Sequence, residues 1–364
     1  LAGAGVSSRG AVWRRLWGAA AALVAGCLVA LPARAGDIQA TAGDLSLGTR
    51  VNGVEGGGCT AGACQIDGGT GAGPNLFHRF NSFDTRGAIT QVDLSTQGYQ
   101  NLVLSVLHPL GSVIDKPIQL SAPANLVWLS PGGLTLASGA SFLNVGQLAL
   151  STGTQLSFGD RRFEALSTRA PEAASLTALP DFSRQAFSTS AADLMALGRS
   201  SSGDLSLAGG LLTVDRSLLL DAQEGQLLLD GAQVVSPGGT VELAGRQVSL
   251  QAGTVDVSAA SGGGTIRVHA LELLRHDPAA AFRADALEQG DGGRMVLFSD
   301  GAARYAGVLS ARGGPQGGAG GFVETSAAWL AIETAPDVTA KAGRGGQWLI
   351  DPYDIAIEAV PNSS

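Results

Sequence analysis

Thr240-Val241-Glu242-Leu243-Ala244, Gln247-Val248-Ser249-Leu250-Gln251, Thr254-Val255-Asp256-Val257-Ser258 and Thr265-Ile266-Arg267-Val268-His269 are four short segments in which polar and apolar residues alternate, with glycine in every gap between them. Alternation at period two is the signature of β-strands. It places Val241, Leu243, Val248, Leu250, Val255, Val257, Ile266 and Val268 on one face of their strands. Similar pieces recur at 126–129, 147–150, 204–207, 212–214, 227–229 and 295–298. One such strand cannot bury its apolar face alone. Stacked coils do so, and each rung pairs its backbone with the rungs above and below. The expected fold is all-β, a right-handed single-stranded parallel β-helix with extrahelical hairpins and loops. At roughly 20 to 25 residues per coil it would form on the order of a dozen coils, about 60 Å long.

Composition agrees. Glycine supplies 53 of 364 residues, while charged residues are 15% and aromatics 5%. Bends between short strands favour residues that tolerate positive φ, which accounts for the glycine excess. An antiparallel sandwich or propeller is the competing all-β arrangement. It would carry more hairpin dipeptides and aromatics, and Asn-Gly occurs once, at Asn52-Gly53. After residue 30 there is no run of 18 uninterrupted apolar residues, so no internal membrane-spanning helix is expected.

The first 35 residues read as a secretory leader. Arg9, Arg14 and Arg15 precede an apolar run over 16–31, and Ala33 and Ala35 place cleavage before Gly36. Val24-Ala25-Gly26-Cys27 offers a rival reading, a lipobox that would lipidate Cys27. Removing 1–35 leaves 19 basic against 31 acidic residues, a net charge of −12. Such an acidic chain without a basic block argues against nucleic acid or an anionic membrane as main partner. Cys59 and Cys64 sit five apart in a compartment expected to be oxidising. They are expected to close a small disulfide loop rather than to start a metal site, which would need two more ligands nearby. Residues 161–200 break the strand pattern with Pro171, Pro180 and many Ser, Ala and Thr. They read as an extrahelical excursion with a short helix at 190–197 capped by Ser190.

Gly73-Pro74-Asn75-Leu76-Phe77-His78-Arg79-Phe80-Asn81-Ser82-Phe83 resembles the signature of the secretion domain in the filamentous haemagglutinin family. That family is the exoprotein side of bacterial two-partner secretion. Asn75, Leu76, Phe77, His78, Phe80 and Phe83 carry the match, and the phenylalanines could equally cap the open end of a β-helix. A second stretch begins at Asn125. Its Ser130-Pro131-Gly132-Gly133-Leu134 resembles the family's Asn-Pro-Asn-Gly-Ile turn, with Ser130 and Gly132 where the family usually has two Asn. A third block, with Gly292-Gly293, Gly320-Gly321 and Trp348-Leu349-Ile350-Asp351-Pro352, is similar to the repeats that follow the secretion domain in haemagglutinin-type and adhesin-type exoproteins.

The resemblance implies an organisation and a mechanism. Residues 1–35 would be the leader, 36–160 a capped secretion domain, 161–200 the excursion and 201–364 continuing repeats that are cut short. The unfolded chain would cross the inner membrane through the Sec translocon. A cognate outer-membrane β-barrel transporter with periplasmic domains would then export it to the surface of a Gram-negative cell. There it would meet a host or neighbouring-cell receptor of unknown identity. The chain begins with Leu1 rather than Met, as expected of a fragment or an alternative start codon, and family members continue well past the position of Pro352.

No enzyme is expected. Parallel β-helices also carry polysaccharide lyases and hydrolases, which is the alternative function. Those sites need clustered carboxylates, and the pairs Asp351/Asp354 and Glu288/Asp291 suit turns. His78, His108, His269 and His276 are too scattered to suggest a metal set. His269 and His276 read as surface or strand-end residues. No phosphate loop, nucleophile elbow or zinc spacing occurs, and no cofactor is expected. Gln289-Gly290-Asp291-Gly292-Gly293 faintly resembles a calcium-binding glycine repeat, but one copy reads as a turn.

Overall fold

The computed structural model describes residues 36–352. The expected leader, with Ala33, Ala35 and Cys27, lies outside the described residues. Gly36 is buried, and a Cβ there would overlap the Arg86 carbonyl oxygen.

The predicted alternation produces a parallel β-solenoid of about 11 turns. Each coil contributes one strand to each of three faces. On the first face, Asn101–Val106 is followed by residues 124–129, 145–151, Ser217–Asp221, 240–245, 265–270, 294–299, 322–327 and Gln347–Pro352. Parallel registry stacks like on like. One inner column runs Leu76, Leu102, Leu126, Leu148, Leu218, Val241, Ile266, Met295, Val323 and Trp348. On the second face the column is Ile114, Leu136, Leu207, Leu229, Leu250, His276, Tyr305 and Ile332. All eight apolar residues named from the 240–268 segments lie in this core. Each buried aliphatic side chain contributes about 1.5–3 kcal/mol relative to exposure.

Two expectations change in detail. Coil length is not constant: Leu126 to Leu148 spans 22 residues, whereas Ile266 to Met295 spans 29. The later glycines also answer a different demand from positive φ. Gly264, Gly293, Gly321 and Gly346 form a staircase in which a Cβ would overlap the backbone of the neighbouring coil, at Gly239, Gly264, Gly293 and Gly321. Hydrogen is the only substituent that lets these turns stack at strand spacing.

The N-terminal end is closed by antiparallel pairing. Asp37–Ala40 runs against Asn75–Asp84 and against Gly58–Cys59, while Thr49–Val51 pairs with Gly62–Gly68. The Cys59 and Cys64 sulfurs are bonded, and both residues are buried in the main core. This cap covers an edge that would otherwise present unpaired backbone groups.

The excursion begins at Gln155, six residues before the boundary read from sequence, because Gln155–Phe158 joins a small antiparallel sheet. That sheet pairs it with Arg161–Glu164 and Phe187–Ser188. A charged Arg161-Arg162 pair marked the boundary in the sequence, but it is only the second strand of the hairpin. The short helix is Ala191–Ala196, with the Ser190 hydroxyl accepting from the Asp193 amide. The excursion covers the outer side of the first face and forms a second core. Phe77, Val103, Val127, Leu129, Ala149 and Leu219 of the solenoid pack there under Phe158, Phe163, Leu176 and Phe187.

Among the described residues the third-face ladder is interrupted once. Residues 141–143 pair with 117–119 of the coil before, and Leu211–Thr213 pairs with Gln233–Val235 of the coil after, but these two strands do not pair with each other.

Candidate functional site

Asn75–Asp84 carries the family-like segment and is the strand to which the rest of the N-terminal third is fastened. Its alternation sends Leu76, His78 and Phe80 inward, over Leu102, Leu104 and Val106 of the next coil. Phe77 and Arg79 point outward, where the excursion covers them. A bulge at Asn81 shifts register against Asp37–Ala40, so that Ala40 pairs with Phe80 but Gln39 with Ser82. The extra residue resets the side-chain phase. Phe83 therefore also faces inward, edge-on to Phe80 at 5.0 Å and to Trp128 at 4.5 Å. Phe77 stacks on Phe163 at 5.1 Å and meets Phe158 at 5.5 Å. The three phenylalanines are thus divided between two cores and do not form a single lid.

Asn75 begins a ladder of amides. Its Nδ2 donates to the Leu176 and Ala178 carbonyls of the excursion, and its Oδ1 accepts from Asn101 Nδ2 at 3.0 Å. Asn101 Oδ1 accepts from Asn125 Nδ2 at 2.9 Å, and Asn125 Oδ1 accepts from Arg216 Nη2 at 3.0 Å. Every donor points the same way along the solenoid, so successive bonds polarise one another, and the chain ends on a guanidinium charge. Asn75 and Asn125 were singled out in the sequence. Asn101 and Arg216 were not, because no local motif surrounds them and only coil registry brings them into line.

Arg79 was also missed. It is fully buried, with Nε on Ser105 Oγ, Nη1 on the Leu45 carbonyl and Nη2 on the Glu164 carbonyl, and its guanidinium lies over the Phe163 ring. One side chain therefore ties the cap, the second coil and the excursion together. Burial lowers its pKa to about 10, partly offset by the Glu172 charge, and it remains a cation at neutral pH. Its hydrogen-bond partners are neutral, and removing it would strand the part-buried Leu45 carbonyl, whereas the Glu164 carbonyl keeps the Thr168 amide. The signal for it in sequence was a lone Arg inside an apolar run.

His78 is buried in the first face. Thr49 Oγ1 accepts from the Arg79 amide and lies 3.3 Å from His78 Nδ1, while Nε2 has no hydrogen-bond partner. Burial brings the pKa down to about 4 against a weaker opposing effect from Asp67.

The turn at Ser130, Pro131, Gly132 and Gly133 is packed between turns of its two neighbours. Ser130 Oγ donates to the Gly133 carbonyl at 2.7 Å and contacts Ser112 Oγ at 2.9 Å, closing the turn that an Asn would otherwise cap. The Pro131 carbonyl accepts from Gly203 N. At Gly132 a Cβ would overlap Gly111 N and the His108 carbonyl. Ser130 and Gly132 are therefore mutually consistent: a small hydroxyl closes the turn, and a residue without a side chain fits the gap.

The remaining histidines and acids separate from this site. His269 is a partly exposed clamp, with Nδ1 2.6 Å from Arg184 Nη1 of the excursion and Nε2 3.1 Å from Asp300. His276 ends its strand as expected but lies inside the core, not at the surface. Asp291 accepts from the Ala319 amide at 2.7 Å, as a turn residue does. Among the described residues no group of three or more His, Cys, Asp or Glu is placed to hold a metal ion.

No protein-family model and no curated protein matches the sequence. Among solved structures, the chain is similar to the crystal structure of the HMW1 secretion domain from Haemophilus influenzae. Identity is 15%, the match covers 85% of this chain and 100% of that one, and the TM-score is 0.30.

Proposed function

We propose that this chain is the exoprotein side of a two-partner secretion pair, a non-enzymatic surface protein of adhesin type whose N-terminal solenoid serves export. One observation carries the reading. The segment that resembles the family signature is buried from Asn75 to Phe80, and its side chains join cap, coils and excursion. A residue run with no exposed surface cannot be read by a partner once the domain has folded. The cognate β-barrel transporter and its periplasmic domains would therefore meet it as extended chain, after the Sec translocon and before the solenoid closes. Folding outside the cell withdraws backbone into the ladder and opposes return.

The test is export from a Gram-negative host that expresses the full chain with the transporter encoded beside it. Deleting residues 75–83 should leave the protein in the periplasm. Undiminished release of the deleted chain to the medium would overturn the proposal.

A further inference from the structure

We propose that the recess at the corner between the third and first faces, centred on residues 144–146, binds a short neutral oligosaccharide. The proposal goes beyond the export reading and does not depend on it. It starts from the length of the corner. Between paired positions the linking segment shrinks from 95–101 to 121–125 in the next coil, and from 120–125 to 144–147 in the one after. Long corners stand out from the solenoid, and a short one sits back. Asn144 makes the short corner, turning the chain at φ 63 with its Nδ2 on the Leu120 carbonyl. The following coil closes the far side, where the Arg216 amide donates to the Gly146 carbonyl.

The setback leaves an open cavity of about 760 Å³. That volume lies within the roughly 300–1,000 Å³ range of ligand sites. Gln100, Pro123, Asn144 and Asp215 line it from four successive coils. At about 4.8 Å per rung the recess runs about 14 Å along the solenoid, which suits a chain of linked rings better than one small molecule.

The lining selects the occupant. Pro123 and Leu143 are exposed apolar surface, Leu143 at 45%. Gln100, Thr213 and Asp215 are also exposed, and among the described residues their side chains form no hydrogen bond or ion pair. Arg216 reaches across Gly146 to Asn125 Oδ1 and pairs with no carboxylate among the described residues. Alone, that guanidinium would favour an anion. Asp215 lines the same recess and offsets its charge, so an anion or a cation meets repulsion from one of the two. Hydroxyl groups both donate and accept, and can therefore use amide, hydroxyl, carboxylate and guanidinium together. A pyranose ring adds an apolar C–H face for Pro123 and Leu143. A neutral polyhydroxyl chain is the ligand that matches every open group.

The test uses the full chain and isothermal titration with four trisaccharides: neutral ones of glucose and of mannose, the anionic trigalacturonate and the cationic chitotriose. At least one neutral sugar should bind saturably, about tenfold tighter than either charged one. Thr213→Trp, which fills the recess from an exposed strand position, should abolish that binding with the circular dichroism spectrum unchanged. Asp215→Asn leaves the guanidinium unopposed and should invert the order, making trigalacturonate the tightest ligand. The proposal falls if neither neutral sugar saturates, or if a charged sugar binds the parent chain as tightly as the neutral ones. It falls equally if folded Thr213→Trp binds like the parent, or if Asp215→Asn leaves the order of the four sugars unchanged.

Discussion

His276 occupies the inner column between Leu250 and Tyr305, with its ring 4.9 Å from that of Phe282. Neither ring nitrogen meets hydrogen-bond geometry. Burial lowers its pKa to about 4, and the nearby Ala280 carbonyl and Asp277 charge offset only part of that. In the unfolded chain the same ring titrates near 6.5. The folded state refuses a proton that the unfolded state accepts, so stability is lost as pH falls below 6.5 and the loss levels off near 4. A gap of about 2.5 pKa units at about 1.36 kcal/mol each gives roughly 3.4 kcal/mol in full, and about 2 kcal/mol at pH ~5. His276→Leu continues the column of leucines with a side chain of similar volume. Removing two orphaned nitrogens should raise stability at neutral pH by about 1–3 kcal/mol. It should also remove about half of the acid loss, since His78 carries a shift of the same sign and leaves the other half. Urea unfolding followed by tryptophan fluorescence at pH ~7 and ~5 measures both quantities. If the variant loses as much stability between those pH values as the parent, or is weaker at neutral pH, the buried ring is not the source of the acid loss.

Other substitutions test other parts of the clasp. Arg79→Met should cost about 1–3 kcal/mol by stranding the Leu45 carbonyl, and limited proteolysis should nick the cap and excursion before the solenoid. Asn101→Leu cuts the amide ladder in its middle and should cost about 1–3 kcal/mol for each of the two groups it leaves unpaired, read from the thermal midpoint. Gly132→Asn should destabilise by about 1–3 kcal/mol because its Cβ overlaps backbone on the neighbouring turn. Asp221 is fully buried, with Ser151 and Gln223 as partners, and burial raises its pKa. Asp221→Asn should therefore be the more stable form at neutral pH, with an advantage that fades as pH falls into the carboxylate range and the parent carboxyl takes up its proton.

The amide ladder shows where sequence reading stopped. Asn75 stood out because it opens a recognisable run, and Asn125 because it precedes a second one. Asn101 belongs to no motif, yet it joins them, since one coil is 26 residues below it and the next 24 above. Arg216 is 91 residues from its partner because the excursion lies between. A pairing with such separations has no periodic trace once one coil departs from the repeat length. His276 stands at its strand end as the sequence suggests, and the alternation of that strand, not the polarity of the ring, places it inside.

Period-two alternation, glycine-marked gaps and the scarcity of hairpin dipeptides and aromatics pointed by themselves to a parallel solenoid, because stacked coils bury one face of each short segment and pair its backbone with the rungs on either side. The sequence also identified residues 75–83 as special and paired Cys59 with Cys64. Only the tertiary structure decided what the segment does. It divides Phe77 from Phe80 and Phe83, makes Arg79 the junction of three pieces, and leaves one rung of the third face unpaired. These depend on coil registry and on where an excursion re-enters the stack, which are properties of contacts between residues distant in the chain and so are not encoded in any local pattern.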